Sequence, residues 1–419
     1  MRELATLGKS NKRMGIVFAA MSGGVDSSVA AALLKKQGYE VIGVHMKCYN
    51  VDGCAEQDVE DARRAAEVLG IPFYVFDFEK EYKKKVVEYM VAGYRQGITP
   101  NPDVMCNKEI KFGLFLKKAL EMGADYVATG HYVRLASRYI SDGTGVRLLQ
   151  RQAAPMSRPE IFALQKPSIS GLRNCRTKHT EKLAPLFSLF AAKDKKKDQS
   201  YFLWTLMQEQ LRHCLFPIGD YLKPEVRQMA RRFGLPNAEK KDSQGICFLG
   251  KVTLKEFLGN YLPKKRGLIL NTAGKVVGEH SGAYFYTIGQ RSGLGLGGNS
   301  APHYIAEKDV AENALLVAEE NDPALYRKEV ELRSLNFINS KLEIRNWKLG
   351  IPVLARVRYR QPLLGAKIYK LKANSYKLVF DKPQKFVAPG QSAVFYGKNG
   401  EMFGGGVILP RHQIEQCNA

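Results

Sequence analysis

The chain has 419 residues, with 64 Lys+Arg against 41 Asp+Glu and a formal net charge of +23. At roughly 150 residues per domain this length gives two or three domains, each large enough to bury a core. With 45% hydrophobic and 25% charged residues, the composition excludes a mainly disordered or fibrous chain. Residues 15–20 (GIVFAA) form a short apolar run of buried-strand type. It stops at Ser22-Gly23-Gly24, and Asp26-Ser27-Ser28 then opens an Ala/Leu-rich helix with Lys35-Lys36 near its end and Gly38 beyond. A second strand is expected over 41–46 (VIGVHM), a helix over 56–69, a third strand over 73–78 (FYVFDF) and a helix over 80–95. A loop follows at Thr99-Pro100-Asn101-Pro102-Asp103, then a helix over 107–122 and a strand from Asp125 (DYVAT). Strands separated by helices of this length predict an α/β, Rossmann-like open parallel sheet. Ligands of such sheets sit beyond the carboxyl ends of the strands, where Ser22 to Ser28, Met46 and Gly130-His131 all fall.

The middle of the chain is less regular. Residues 138–150 read as a hairpin around Asp142-Gly143. Residues 151–192 lack periodicity, hold short apolar patches such as LFSLF, and read as an insertion or long loop. The lysine cluster 193–197 and the run Asp198-Gln199-Ser200-Tyr201-Phe202-Leu203 follow. Towards the C-terminus, Val353, Ala355, Val357 and Tyr359 alternate with Leu354, Arg356, Arg358 and Arg360, a strand with one apolar and one mostly basic face. QSAVFYG and GGGVILP flank Asn399-Gly400, a hairpin signal, and the region reads as a small antiparallel barrel.

The stretch Ser22-Gly23-Gly24-Val25-Asp26-Ser27-Ser28 carries the first chemistry. Two glycines let backbone amides approach an anion, the serines donate, and the helix N-terminus adds a positive dipole. No lysine ends the motif, which argues against an NTPase that hydrolyses a terminal phosphate. An ordinary turn accounts for Ser-Gly-Gly alone, less well for the whole stretch between a buried strand and a helix. Cys106 lies in TPNPDVMCNKEIKFG, near a helix start that favours a thiolate. Cys247 lies in KKDSQGICFLG beside Lys240-Lys241. Their separation fits no zinc knuckle, and polar, glycine-containing surroundings distinguish both from ordinary buried thiols. His45, Cys48 and Cys54 lack a fourth partner and match no zinc template, so no metal site is assigned.

SGGVDSS resembles the PP-loop of the ATP pyrophosphatases (adenine nucleotide alpha-hydrolase-like), which adenylate a carbonyl oxygen and release pyrophosphate. TPNPDVMCN, ATGHYVR, KDQSYFL, DSQGICF, YTIGQRSGLG, RVRYRQ and PGQSAVFYG occur in the order found in the tRNA-specific 2-thiouridylases. That resemblance runs from about residue 15 to 409. It implies a PP-loop catalytic domain over 12–247 with an insertion near 151–192, a small central domain over 248–316 and a tRNA-binding β-barrel over 317–416. It also implies ATP-dependent adenylation of the C2 carbonyl of the wobble uridine, position 34, followed by sulfur transfer that yields 2-thiouridine, AMP and pyrophosphate. By the same resemblance ATP lies against Ala20, Met21, Ser22, Gly23, Gly24, Val25, Asp26 and Ser27, with Met46 and Gly130 lining the adenosine pocket, and Mg²⁺ is expected. Asn101, Pro102 and Asp103 surround a flipped-out target base. Cys106 is the nucleophile, Cys247 carries the persulfide, and the two join in a transient disulfide. Asp103 beside the base orients it or takes a proton, with a plain loop-capping role as the alternative. His131, Lys197, Asp198, Gln199, Arg358, Tyr359 and Gln391 match tRNA contacts.

The charge excess agrees with a polyanionic partner. Expected partners are the wobble-uridine tRNAs for Lys, Glu and Gln and a sulfur-relay protein or cysteine desulfurase, with no membrane partner and a monomeric chain. No run reaches the ~20 apolar residues of a membrane span. An odd, sparse set of seven cysteines argues against a disulfide framework. The opening stretch MRELATLGKSNKRM is basic and short, with Glu3 and no amphipathic arginine pattern, so a cytoplasmic enzyme is expected over a mitochondrial one. The rivals are another PP-loop enzyme, such as a tRNA-lysidine or 4-thiouridine synthetase, and a non-enzymic RNA-binding protein with a vestigial nucleotide site.

Overall fold

The computed structural model describes residues 14–49, 51, 55–141, 145–151, 186–242, 249–250, 252–296, 301–338, 347–372 and 375–411. The N-terminal part is built on β1 (Ile16–Ala20), β2 (Glu40–Lys47), β3 (Phe73–Asp77), β4 (Tyr126–Ala128) and, much later in the chain, β8 (Cys214–Leu215). These pair parallel in the order β3-β2-β1-β4-β8. The central strand β1 is buried along nearly its whole length. An unbroken apolar run, rather than alternation, is what a parallel strand covered on both faces requires. One cover is the pair α1 (Val25–Lys36) and α2 (Ala55–Leu69), which pack Ala30, Leu34, Ala62 and Ala65 against Val17 and Ala19. Asp26 in the first turn of α1 and Lys35-Lys36 in its last suit the helix dipole.

A hairpin of β5 (Val133–Ser141) and β6 (Gly145–Arg151) follows, joined on its other side by β7 (Leu186–Ala191). The middle region forms a four-stranded sheet from β9 (Gly267–Asn271), β10 (Val276–His280), β11 (His303–Asp309) and β12 (Ala314–Glu319), in the order β10-β9-β12-β11. The last part comprises β13 (Tyr326–Phe337), β14 (Ile351–Arg356), β15 (Leu364–Lys372), β16 (Ser375–Lys385), β17 (Ser392–Tyr396) and β18 (Glu401–Ile408). Their order β13-β16-β15-β14-β17-β18, with β13 also paired to β18, closes an antiparallel six-stranded barrel. Val330, Ile351, Val353, Ile368 and Phe395 fill its interior. Short pairing of β18 with β7 (Glu401 with Phe190, Met402 with Leu189) welds the barrel to the N-terminal part. No helix among the described residues is long and apolar enough to cross a membrane.

Three local expectations are corrected. Residues 151–192 are not all loop: LFSLF belongs to β7, whose Leu189 and Ala191 are buried between β5 and β18. Adjacent Ser188 and Leu189 are both fully buried, so both faces of the strand are covered and it shows no period-two signal. Residues 152–185 lie outside the described residues. The helix expected over 107–122 starts earlier, with Pro102–Met105, and runs on through a π-helical stretch Cys106–Phe115 into Leu116–Glu121. Proline tolerates a first helical position, and Asn101 caps the end by accepting from the Val104 amide (3.2 Å). Asp103 is thus a first-turn helical residue and not a loop cap. The strand with a basic face ends at Arg356, and Arg356 is buried.

Candidate active site

The phosphate-loop candidate occupies the carboxyl end of β1. Gly23 adopts φ +76°, and a Cβ there would run into the Asp58 carbonyl, so only glycine fits. Gly24 is the N-cap of α1 and supplies no side-chain cap, so no side chain covers the first-turn amides from that position. The serines brace the turn: the Ser22 amide donates to Ser27 Oγ (3.1 Å), and the Ser27 and Ser28 hydroxyls donate to the Gly24 carbonyl (3.1 Å each). Asn237 donates to the Gly23 carbonyl (2.9 Å) and Ser28 Oγ (3.0 Å). From the end of β4, Gly130 comes so close that a Cβ would lie 2.6 Å from the Ser27 amide nitrogen. Ala20, Met21 and Val25 are buried supports of the turn. Met46 is half-buried at the neighbouring end of β2, paired with Phe76. His45 Nδ1 lies 2.9 Å from the Met21 carbonyl, and burial lowers its pKa.

Beside the turn sits a charge cluster. Lys223 Nζ lies 2.8 Å from both Asp26 oxygens and 2.7 Å from Asp242 Oδ1. Lys197 reaches Asp242 Oδ2 (2.5 Å) and Arg227 reaches Oδ1 (3.0 Å), while the Tyr132 hydroxyl donates to Asp26 (2.8 Å). Burial opposes ionisation of Asp242, yet Lys197 and Lys223 bring its pKa down to about 2. A second bridge ties Lys240 to Asp58 (2.7 Å) and Asp61 (2.6 Å) on α2. Asp242 and Lys240 immediately precede the segment with Cys247, which lies outside the described residues.

The helix that begins at Pro102 carries the other half of the chemistry. Asn101, Pro102 and Cys106 are buried, and Asp103 is half-buried, its carboxyl pKa raised by burial and pulled the other way by Lys111. The Asn101 cap therefore puts Asp103 and Cys106 within the first two turns of one helix. His131 is buried between the rings of Phe112 and Phe216, with Nδ1 2.8 Å from Thr129 Oγ1. Burial, helped by Lys111, lowers its pKa well below the ordinary value, so it is neutral at pH 7.

The expected tRNA-contact residues divide by role. Lys197 is partly exposed in the charge cluster. Asp198 is buried: it accepts from the amides of Ala192 (3.1 Å) and Ser200 (3.2 Å) and pairs with Arg356 Nη2 (2.5 Å). Arg356 also donates to the Tyr396 hydroxyl (2.7 Å). Burial alone would lower its pKa, but Tyr396 and Asp198 raise it. The Gln199 amide donates to the Tyr132 carbonyl (2.9 Å), and the Tyr132 amide donates to Gln199 Oε1 (2.9 Å). Gln391 donates to the carbonyls of Thr99 (2.9 Å) and Pro100 (3.2 Å), while the Thr99 amide donates to Pro389 (2.7 Å). The barrel thus grips the loop leading to Asn101. Arg358 and Tyr359 follow β14, with the Tyr359 and Phe202 rings in tilted contact (centroids 4.4 Å apart) and Arg360 over the Tyr359 ring (5.2 Å).

Three family profiles cover the chain in order. A tRNA methyl transferase HUP domain matches residues 15–158 and 173–251, a tRNA methyl transferase PRC-barrel domain 255–319, and an aminomethyltransferase beta-barrel domain 327–408. The tRNA-specific 2-thiouridylase MnmA of Geobacillus thermodenitrificans is 42% identical over 399 residues, 94% of each chain. The same-named protein of Thiobacillus denitrificans is 43% identical over 409 residues, 94% of this chain and 99% of its own. The chain belongs to the tRNA-specific 2-thiouridylase family. Among solved structures, a 4-thiouridine synthetase–RNA complex with bound ATP aligns at TM-score 0.30 and 15% identity over 59% of this chain and 50% of that one, too loosely to carry an inference.

Lys223, Arg227, Asn237 and Asp242 escape the sequence reading of this thiouridylase-family chain, and Arg356 enters it only as one residue of a basic strand face. Asp242 stands inside KKDSQGIC and Arg356 inside RVRYRQ, so both lie in stretches already marked by the motifs. Lys223 at the start of a helix, against the dipole, is the one sequence signal that could have flagged the cluster.

Proposed function

We infer that the chain is a tRNA 2-thiouridylase, an ATP-using sulfurtransferase acting on the wobble uridine. The observation that carries this is the glycine-serine turn at the carboxyl end of β1, closed on by Gly130 from the end of β4, in a chain whose full-length relatives are tRNA-specific 2-thiouridylases. The turn's amides and the N-terminus of α1 suit the triphosphate, and Met46 and Gly130 flank the adenosine. Adenylation of the uridine O2 expels pyrophosphate and makes AMP the leaving group at C2. The terminal sulfur of a Cys247 persulfide attacks C2 and AMP departs. The Cys106 thiolate then attacks Cys247 Sγ, which breaks the S–S bond and leaves sulfur on the base. The resulting Cys106–Cys247 disulfide needs a two-electron thiol reductant to reset it. Asp103, kept toward its protonated form by burial, can donate to or take a proton from the base. Asp26 is the carboxylate on the turn that could ligate Mg²⁺, which usually takes one or two carboxylates plus phosphate oxygens, but only by exchanging one of its contacts to Lys223 or Tyr132. Bound there, Mg²⁺ would neutralise charge on the pyrophosphate.

Lys197, Arg358, Tyr359 and the exposed Arg360 are the side chains best disposed for tRNA, by phosphate contact and stacking. Asp198 and Gln199 hold the segment that follows Lys197, Gln391 holds the loop before Asn101, and His131 packs on Phe112 and Phe216. A sulfur-relay protein or cysteine desulfurase would load Cys247, in a monomeric cytoplasmic enzyme acting on the tRNAs for Lys, Glu and Gln. The test is incubation with unmodified tRNA, ATP, Mg²⁺ and a cysteine desulfurase with L-cysteine as the persulfide-sulfur source, followed by digestion and mass detection of 2-thiouridine. Wild type should thiolate, while Cys106→Ser and Cys247→Ser should not. Pyrophosphate release without thiolation would move the substrate elsewhere, and tRNA binding with neither product would favour the non-enzymic rival.

A further inference from the structure

Lys223 is an expensive residue in its position. Only 8% exposed, it places a cation at the first residue of the helix Lys223–Arg232, where the dipole already points positive. Burial of an ammonium costs several kcal/mol unless anions surround it. Its two anions, Asp26 and Asp242, come from segments distant in sequence, and one of them belongs to the phosphate turn itself. The cluster therefore holds a charged amine against the turn, where nucleotide phosphates would lie.

The other cations in the cluster are committed differently. Arg227 gives its fork to the carbonyls of Ala238 (2.9 Å) and Lys240 (3.0 Å) as well as to Asp242, and so acts as a fixed brace. The Lys197 side chain is 29% exposed against 10% for Lys223, and so stands on the outer side of the cluster. Lys223 alone combines burial, direct contact with the turn and a flexible stem with three donors.

We propose that Lys223 is a nucleotide-phosphate contact, serving the β- and γ-phosphates that leave as pyrophosphate, with Asp26 and Asp242 holding it in register until they arrive. This rests on the thiouridylase reading above and adds a residue to its nucleotide site. The phosphate chemistry could also come from the tRNA backbone, which the outer position of Lys197 suits better.

The test compares equilibrium binding of a non-hydrolysable ATP analogue, AMP and tRNA to full-length wild type, Lys223→Gln and Lys223→Arg. Lys223→Gln should weaken the ATP analogue by about tenfold or more, the loss of one charge-assisted phosphate contact, and leave AMP and tRNA within about two-fold. Lys223→Arg should recover most of the ATP affinity. Thermal unfolding of each variant with and without AMP reports whether the fold survives. Equal weakening of AMP and the ATP analogue would make Lys223 merely structural and overturn the proposal, as would unchanged ATP affinity. Selective loss of tRNA would assign the residue to the polynucleotide and overturn it too. A wild type that binds neither nucleotide would overturn the thiouridylase reading, and this contact with it.

Discussion

At the carboxyl end of the parallel sheet, lysines and aspartates meet in a half-open cluster, with side chains of Asp26, Asp242 and Lys197 about three-tenths exposed. Between that sheet and the barrel, Arg356 and Asp198 meet in a closed one, 6% and 4% exposed. The same residue types do different work because of access. Charges that a phosphate can reach are exchangeable, and their network can rearrange around a ligand. Charges walled in by Ser200, Tyr201 and Tyr396 are fixed, and they set where one domain stands on another. The barrel accordingly contributes to the site by holding as well as by touching: Gln391 grips Thr99 and Pro100, and Arg356 grips the segment that begins at Lys197.

Removing one partner of the closed pair should have the largest effect. Arg356→Met leaves Asp198 buried and uncompensated, a loss of about 3–5 kcal/mol. Chemical denaturation should show it, and the Asp198→Asn/Arg356→Met double variant should lose less than the sum of the two single changes. ATP affinity should survive wherever the variant is folded. Gly130→Ala attacks the other end. Its methyl meets the Ser27 amide, and displacing that turn costs about 1–3 kcal/mol. Nucleotide titration should show about a ten- to hundred-fold loss, with tRNA affinity unchanged. Gln391→Ala frees the carbonyls of Thr99 and Pro100, at about 1–2 kcal/mol. The thiolation rate at saturating ATP and tRNA should fall, while both affinities hold.

The smallest effect should be one of pH. Asp242 has its pKa lowered from 3.8 to about 2 in the folded state, so its pairing stabilises the fold above 3.8 and that stability is lost as pH falls through about 2. The stability gap between wild type and Asp242→Asn, followed by denaturation across pH, should be full at neutral pH and close at the acid end. A gap that persists below pH 2 would assign the effect to packing rather than charge.

The phosphate turn was legible in the sequence because its requirements are local: a strand end, two glycines and a helix start within a few residues. Much of the sheet was legible for the same reason, as was the Asn399-Gly400 hairpin. Strand β7 was not, since both of its faces are covered, with adjacent Ser188 and Leu189 buried, and no polar face gives it a period. Nor was the direction of Arg356. Alternation placed it on a face opposite Ala355, but nothing local told that this face meets Asp198 across a domain boundary instead of solvent. The Lys223 cluster joins residues separated by almost two hundred positions, and only the fold brings them together. The resemblance marked Asn101 as part of the loop around the target base, but nothing local showed that it caps a helix beginning at Pro102.

The sharpest measurement is single-turnover thiolation of wobble uridine by Gly130→Ala and Arg356→Met, with ATP and tRNA affinities taken on the same preparations. If the open end handles nucleotide and the closed end positions the domains, Gly130→Ala loses ATP affinity and Arg356→Met loses transfer with ATP affinity intact. Identical losses of ATP affinity in both variants would contradict that division.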